Sequence, residues 1–131
     1  MMKILVGFDR SNTAKAALDV AIKYAGTMGG ELMVVSSLVE GKDDNLHDIG
    51  NAESDLDAAK AMATKAGVPC TTHLLIRGLQ PGEDLVRFAG EQGADLVVVG
   101  IHRRSKVGKL LMGSTAQFVI LKSPCPVLTV K

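Results

Sequence analysis

The sequence predicts an α/β fold: a five-stranded, mostly parallel sheet with helices on both faces. Two observations predict it. Short runs of branched apolar residues alternate with longer segments whose apolar residues recur every three or four positions, which are the signatures of buried strands and amphipathic helices. Glycine or proline closes most of these segments, punctuating the alternation. Strands that alternate with helices pair in parallel through right-handed crossovers, and those crossovers cover both faces of the sheet.

Each element follows in order. Residues 3–8 form a short apolar run bounded by Asp9 and read as a buried strand. Ser11 then offers an oxygen to cap a helix. Along that helix Ala14, Ala17, Leu18, Ala21, Ile22 and Ala25 make one apolar stripe, with Lys15, Asp19 and Lys23 opposite. Gly29-Gly30 stops it. Residues 32–38 are the second strand and 39–45 a polar loop. Ile49, Ala52, Leu56, Ala59, Ala63 and Ala66 step by three and four, predicting a long second helix ended by Gly67 and Pro69. Residues 71–76 are the third strand, broken by Gly78. Pro81 suits a first helical turn, and Glu83 and Asp84 follow where the helix dipole favours anions. Leu85, Phe88, Ala89 and Gln92 carry that helix to Gly93. Residues 96–99 are four apolar residues in a row ending at Gly100. Ser114–Lys122 predicts a fourth helix, stopped by Ser123-Pro124 and Pro126, and Val127–Val130 the last strand.

Length and composition bound the rest. The 131 residues fit one domain, residues 1–131. Fifteen Lys and Arg against fourteen Asp and Glu leave a formal charge of +1, which excludes nucleic-acid binding driven by bulk charge. Hydrophobic residues at 47% and charged residues at 22% mark a folded chain. Aromatics at 3%, with no Trp, leave the core to aliphatic residues and give base-stacking platforms no material. No run approaches the ~18–20 apolar residues of a membrane span. The start of the chain, with Asp9 and Arg10 after one short apolar stretch, is unlike a secretory signal. Cys70 and Cys125 form no metal-type spacing, and His47, His73 and His102 are scattered. The expectation is therefore a cytoplasmic protein with two reduced thiols and no metal site. The acidic stretch 40–57 reads as the solvated face of the second helix and its entry loop, in preference to a docking surface for a basic partner.

Ligands of such sheets bind outside the carboxyl ends of the strands, where the strand order reverses. Two orders are open. In 3-2-1-4-5 the crevice holds Asp9 with Gly100 and the loop behind it; in 2-1-3-4-5 it holds Asp9 with Arg77-Gly78. The loop after the fourth strand is the more informative. Gly100-Ile101-His102-Arg103-Arg104-Ser105-Lys106-Val107-Gly108-Lys109 holds four Lys or Arg and no acid, and leads to Gly113-Ser114-Thr115 at a helix start. Backbone N–H groups and the dipole there form an anion site, and glycine lets the backbone come close. Flanking cations add charge-assisted hydrogen bonds of ~1.5–3 kcal/mol each. A handful of these with one buried ring reaches the ~8 kcal/mol of micromolar binding.

Each residue also has a plainer reading. Ser114-Thr115-Ala116-Gln117 is a capping box in which Ser114 serves its own helix. The basic run is a solvated loop, Gly100 ends a strand, and Asp9 holds a turn. Convergence on one crevice under the 3-2-1-4-5 order favours a ligand. Rival motifs fail. Leu110 follows Gly108-Lys109 where a Walker loop needs Ser or Thr, and GxGxxG is absent. A phospho-acceptor receiver would want paired acids after the first strand and an Asp where Arg77 stands. No Ser/His/Asp set is legible from spacing.

Three segments carry a family resemblance over essentially the whole chain. Lys3-Ile4-Leu5-Val6-Gly7-Phe8-Asp9-Arg10-Ser11 resembles the first strand and turn of the universal stress proteins of the UspA family. Gly93-Ala94-Asp95-Leu96-Val97-Val98-Val99-Gly100 resembles their fourth strand. Gly113-Ser114-Thr115-Ala116-Gln117 through Pro124-Cys125-Pro126-Val127-Leu128 resembles their last helix and strand. The ATP-binding branch carries Gly, two residues, Gly, nine residues, then Gly-Ser or Gly-Thr. Gly100 and Gly113-Ser114 match at the right distance. Arg103 stands at the middle glycine; its Cβ fills a place of close backbone approach, and its guanidinium can compensate.

The resemblance implies the 3-2-1-4-5 order and a doubly wound, Rossmann-like sheet of the adenine nucleotide alpha hydrolase-like kind. It implies ATP, or ADP or AMP, as ligand, with Mg2+ an optional companion of the nucleotide. Asp9 would hydrogen-bond the ribose, Gly7 line the pocket, and Ser37 meet the adenine through its backbone. Val99 and Gly100 would flank the nucleoside. Arg103, Gly113, Ser114 and Thr115 would hold phosphates, with His102 in the same binding set. It also implies homodimers paired through Val127–Val130, an apolar edge that on physical grounds wants a partner. The connection between the second strand and second helix is short for the family, so less of it covers the adenine and affinity is expected to be modest. The expected function is a cytoplasmic, homodimeric, ATP-binding sensor or regulator in the stress response. It is not a fast enzyme, because no general base or Mg-binding acid pair is visible beside the loop. Neither nucleic acid nor membrane insertion is expected. Two alternatives stay open: a family member that works by dimerisation and partner contacts without nucleotide, which Arg103 favours, and a slow ATPase or autophosphorylating protein.

Overall fold

Strand and helix alternate along the residues that a computed structural model of the chain describes, namely 1–9, 11–39, 45–101 and 113–131. The elements are β1 (Lys3–Gly7), α1 (Asn12–Met28), β2 (Glu31–Ser37), α2 (Asn45–Lys65), β3 (Cys70–Leu75), α3 (Pro81–Gln92), β4 (Leu96–Gly100), α4 (Ser114–Lys122) and β5 (Val127–Val130). The strands form one sheet in the order β3-β2-β1-β4-β5, and every neighbouring pair is parallel. Of the two open orders this is the one that reverses between β1 and β4. A crevice pairing Asp9 with Arg77-Gly78 is thereby removed.

Side chains alternate across a strand, so each strand feeds two cores. Ile4, Val6, Leu32, Val34 and Val98 pack under α1 and α2 against Ala17, Leu18, Ala21, Ala25, Leu56, Ala59 and Ala63. Leu5, Met33, Val35, Val97 and Val99 pack under α3 and α4 against Leu85, Phe88, Ala89, Ala116 and Val119. Burial on both faces is why these strands read as continuous apolar runs rather than as alternating ones. Each fully buried Val or Leu contributes about 1.5–3 kcal/mol.

The ends of the elements follow local chemistry. Ser11 Oγ accepts from the backbone N–H of Ala14 at 3.1 Å, capping α1 as its sequence predicts. Gly29 and Gly93 end α1 and α3 in the left-handed region, at φ 62° and 64°, where a Cβ would be strained. Phe8 and Leu38, predicted within strands, lie one residue beyond β1 and β2. Their N–H groups nevertheless donate to Val35 and Leu75 at 2.8 and 2.9 Å, extending each ladder by one bond. α1 runs past its last marker Ala25 to Met28, and α2 begins four residues before Ile49, because backbone bonds continue a turn beyond the last apolar contact. On α2, Glu53 and Asp57 are exposed, while 40–44 lie outside the described residues. Cys70 and Cys125 adjoin opposite edges of the sheet as free thiols. Among the described residues no helix is long and apolar enough to cross a membrane.

Candidate functional site

The strand order opens a cleft of about 280 Å³ at the carboxyl ends of β1, β2 and β4. Gly7 and Asp9 enter it from the end of β1, and Ser11 and Thr13 from the start of α1. Val35 and Ser37 come from β2, Pro81 and Leu85 from α3, Val99 and Gly100 from β4, and Gly113, Ser114 and Thr115 from the start of α4. Eight residues singled out in the sequence, Gly7, Asp9, Ser37, Val99, Gly100, Gly113, Ser114 and Thr115, thus share one cavity. His102 and Arg103 lie outside the described residues, as does the rest of the basic run. Sequence reasoning missed Thr13, Val35, Pro81 and Leu85. Two of them carried a signal once the order was known: Val35 shares a strand face with Ser37, and Leu85 shares a helix face with Pro81.

Close packing of backbone brings these groups together. A Cβ built on Gly100 would overlap the Thr13 carbonyl, so the first turn of α1 rests directly on β4. Gly100 therefore does more than end a strand. A Cβ on Gly7 would stand 2.9 Å from Leu85 Cδ1, and one on Gly82 2.9 Å from Phe118 Cβ. The glycine at 82 thus seats α4 tightly on α3. Asp9 Oδ1 accepts from the N–H of Ser11 at 2.8 Å. The turn reading of Asp9 holds for that oxygen, and the same exposed carboxylate borders the cleft.

The capping-box reading of Ser114 is corrected. Gly113 is the N-cap of α4, at φ −63° and ψ 161°, and being glycine it brings no side chain to cap the helix. Ser114 is the first helical residue, one position too late for its hydroxyl to fold back on the third N–H. Among the described residues no side chain bonds the first N–H groups of α4, which border the cleft with the positive end of the helix dipole behind them. That is the chemistry of an anion site. The opposite wall, Val35, Pro81, Leu85 and Val99, is apolar, and Asp9, Ser11 and Thr13 form a polar side between. Such a cleft can take a ligand with a flat apolar part, hydroxyls in the middle and an anionic end.

Asp84 lies in the first turn of α3, where the sequence places an acid favoured by the helix dipole, and its exposure is 0%. Ser37 Oγ donates to its Oδ2 at 2.7 Å and Arg77 Nε to its Oδ1 at 2.7 Å. Arg77 also reaches Glu91 at 2.7 Å. The hydrogen bond to Glu91 pushes the Arg77 guanidinium above its ordinary range; burial opposes this, and the hydrogen bond to Asp84 adds to the rise.

Comparison with known proteins bears on the family and the fold. The model of the universal stress protein family matches residues 1–131. A curated relative from Thermus aquaticus, described as a universal stress protein in the QAH/OAS sulfhydrylase 3′ region, is 36% identical over 135 residues. That match covers 98% of this chain and 97% of the relative. A universal stress protein structure from Archaeoglobus fulgidus has a TM-score of 0.90 at 39% identity, covering 100% of this chain and 99% of the other. A structure of the universal stress protein from Archaeoglobus fulgidus in complex with dAMP has a TM-score of 0.83 at 36% identity, covering 100% and 98%.

Proposed function

The chain belongs to the universal stress protein family, and from that premise we propose that its cleft binds an adenine nucleotide, ATP or its relatives ADP and AMP. The protein then acts as a homodimeric sensor or regulator in the cytoplasmic stress response. The observation that carries the reading is the start of α4, with glycine at its N-cap, in the same cleft as Asp9 and an apolar wall. The dAMP held by the Archaeoglobus fulgidus relative supports the ligand class.

Roles follow from chemistry. The adenine lies against Val35, Pro81 and Leu85, with the main chain of Ser37 at its edge. Asp9 accepts from the ribose hydroxyls, and Gly7, Val99 and Gly100 leave room for the nucleoside. The N–H groups of Gly113 and Ser114 and the hydroxyls of Ser114 and Thr115 donate to phosphate oxygens, with His102 and Arg103 adding donors and charge. Among the described residues no group of three or more His, Cys, Asp or Glu could hold a metal ion, so Mg2+ would come on the phosphates. Dimerisation is supported by β5, an edge strand, and by Phe118, Ile120 and Leu121 exposed on α4, since apolar edges seek partners.

Calorimetry with ATP, ADP and AMP tests the proposal. Binding is expected with modest affinity, near the ~8 kcal/mol of a micromolar complex or weaker. No heat of binding at millimolar nucleotide overturns it. Arg103 favours a second reading, a family member that works through partner contacts alone. If Arg103→Gly gains ATP affinity where the parent has none, that reading replaces the first.

A further inference from the structure

We propose that Asp84 and Arg77, neither of which meets the ligand, are positioning residues that fix the base-side wall of the cleft and so set its preference among purines. The inference rests on the nucleotide reading above.

Among the described residues Asp84 and Ser36 are the buried polar ones, and only Asp84 carries a charge. A buried carboxylate is tolerated only when paired and hydrogen-bonded, and even then an apolar replacement of similar shape is often as stable. Stability alone therefore explains its presence poorly. Its location explains more. Asp84 sits in the first turn of α3, three residues after Pro81 and directly before Leu85, two residues of the cleft wall. Its Oδ2 accepts from Ser37 Oγ at 2.7 Å, and Ser37 is the last residue of β2 and also lines the cleft. Its Oδ1 takes Arg77 Nε at 2.7 Å and Nη2 at 2.6 Å, a side-on grip by one guanidinium.

Arg77 is itself held from several sides. Its Nη2 donates to the Asp84 carbonyl at 3.3 Å, its Nη1 reaches Glu91 at 2.7 Å, and its guanidinium carbon lies 5.7 Å from the centroid of the Phe88 ring. One carboxylate thus ties together the end of β2, the β3–α3 connection and the start of α3. The first and last of these are the two elements that meet a base. The bonds are charge-assisted and directional, so they hold the gap between Ser37 and Pro81 to a narrow range.

The test titrates wild type, Ser37→Ala, Ser37→Thr, Arg77→Met, Arg77→Lys and Asp84→Asn with ATP, GTP and adenosine, and records a thermal melt of each. Losing one hydrogen bond to the buried carboxylate should cut the ATP-over-GTP preference about tenfold in Ser37→Ala and Arg77→Met. ATP and adenosine should weaken by the same factor, because the phosphate end is untouched. Ser37→Thr, which keeps the hydroxyl, should restore the preference; Arg77→Lys, which loses the fork, should not. If Asp84→Asn does not fold, the half-exposed Arg77 and the terminal Ser37 keep the experiment decisive. A lowered melting temperature with an unchanged ATP-to-GTP ratio would overturn the inference and leave the nucleotide reading standing. Absence of nucleotide binding by the wild-type chain would overturn both.

Discussion

The two faces of the sheet are built from the same strands and do different things. Under α1 and α2 the sheet-facing core is tightly packed: alanines at 17, 21, 25, 59 and 63 bring two long helices, of 17 and 21 residues, onto Ile4, Val6, Leu32 and Val34, and a cavity of about 560 Å³ opens where both helices meet Phe8 and Asp9. Under α3 and α4 the helices have 12 and 9 residues. Among the described residues the cleft opens at the carboxyl ends of β1, β2 and β4, beside the starts of α1, α3 and α4. The difference teaches that strand pattern sets where a core forms, while the starting positions of the helices set which groups border the cleft at the strand ends. Among the described residues each face holds one buried polar side chain: Ser36 on the α1 and α2 side, whose Oγ donates to the Phe8 carbonyl at 2.7 Å, and Asp84 on the α3 side, which accepts from Ser37.

That contrast can be broken deliberately. The largest effect is expected from Leu18→Ala, which leaves a void in the tightly packed core. Leu18 is 1% exposed, and such truncations cost about 2–5 kcal/mol. Chemical denaturation should show that loss while the ratio of ATP to adenosine affinity stays at its wild-type value. A shift in the ratio would mean the two faces are not independent. Gly100→Ala comes next. Its methyl would overlap the Thr13 carbonyl, so α1 and β4 must part at a cost of about 1–3 kcal/mol. Here stability and nucleotide affinity should fall together, and a variant that melts early yet binds normally would contradict the close seat assigned to Gly100.

Much of this was legible in the sequence, for reasons that are local. The runs at 4–6, 32–35 and 97–99 are buried on both faces, and no partner is needed to read them. The stripe from Ala14 to Ala25 and the cap at Ser11 are equally local. What was not legible depends on neighbours distant in the chain. Periodicity could not choose between two strand orders, because both bury the same residues; the family resemblance favoured the right one. The bounds Ser114–Lys122 of α4 were legible, but Gly113 and Ser114 are both good N-cap residues, so which of them caps it was not. The place of Asp84 at a helix start was legible, but its burial was not, because nothing near it reveals that Ser37, 47 residues earlier, and Arg77 converge on it.

The smallest effect concerns pH and belongs to the α3 side. The His73 ring lies 4.9 Å from the centroid of Phe88, and its Nε2 is 2.9 Å from Thr71 Oγ1. Partial burial lowers its pKa below the ordinary 6.5. The unfolded chain therefore takes up the proton first as pH falls. Stability from this group is complete above 6.5 and declines below it, levelling off once the folded form is also protonated. His73→Gln should flatten that part of a stability-versus-pH curve measured by thermal melting. An unchanged slope would place the pH dependence elsewhere.

The central claim is that the first turn of α4 and the basic run before it receive the phosphates of a nucleotide whose base lies against α3. Parallel calorimetric titrations of ATP and adenosine into wild type, Arg103→Ala and Lys109→Ala test it most directly. ATP should bind the wild-type chain more tightly than adenosine, and each variant should lose most of that advantage while its adenosine affinity holds. Equal losses for the two ligands, or an ATP affinity no better than that of adenosine in the wild-type chain, would contradict it.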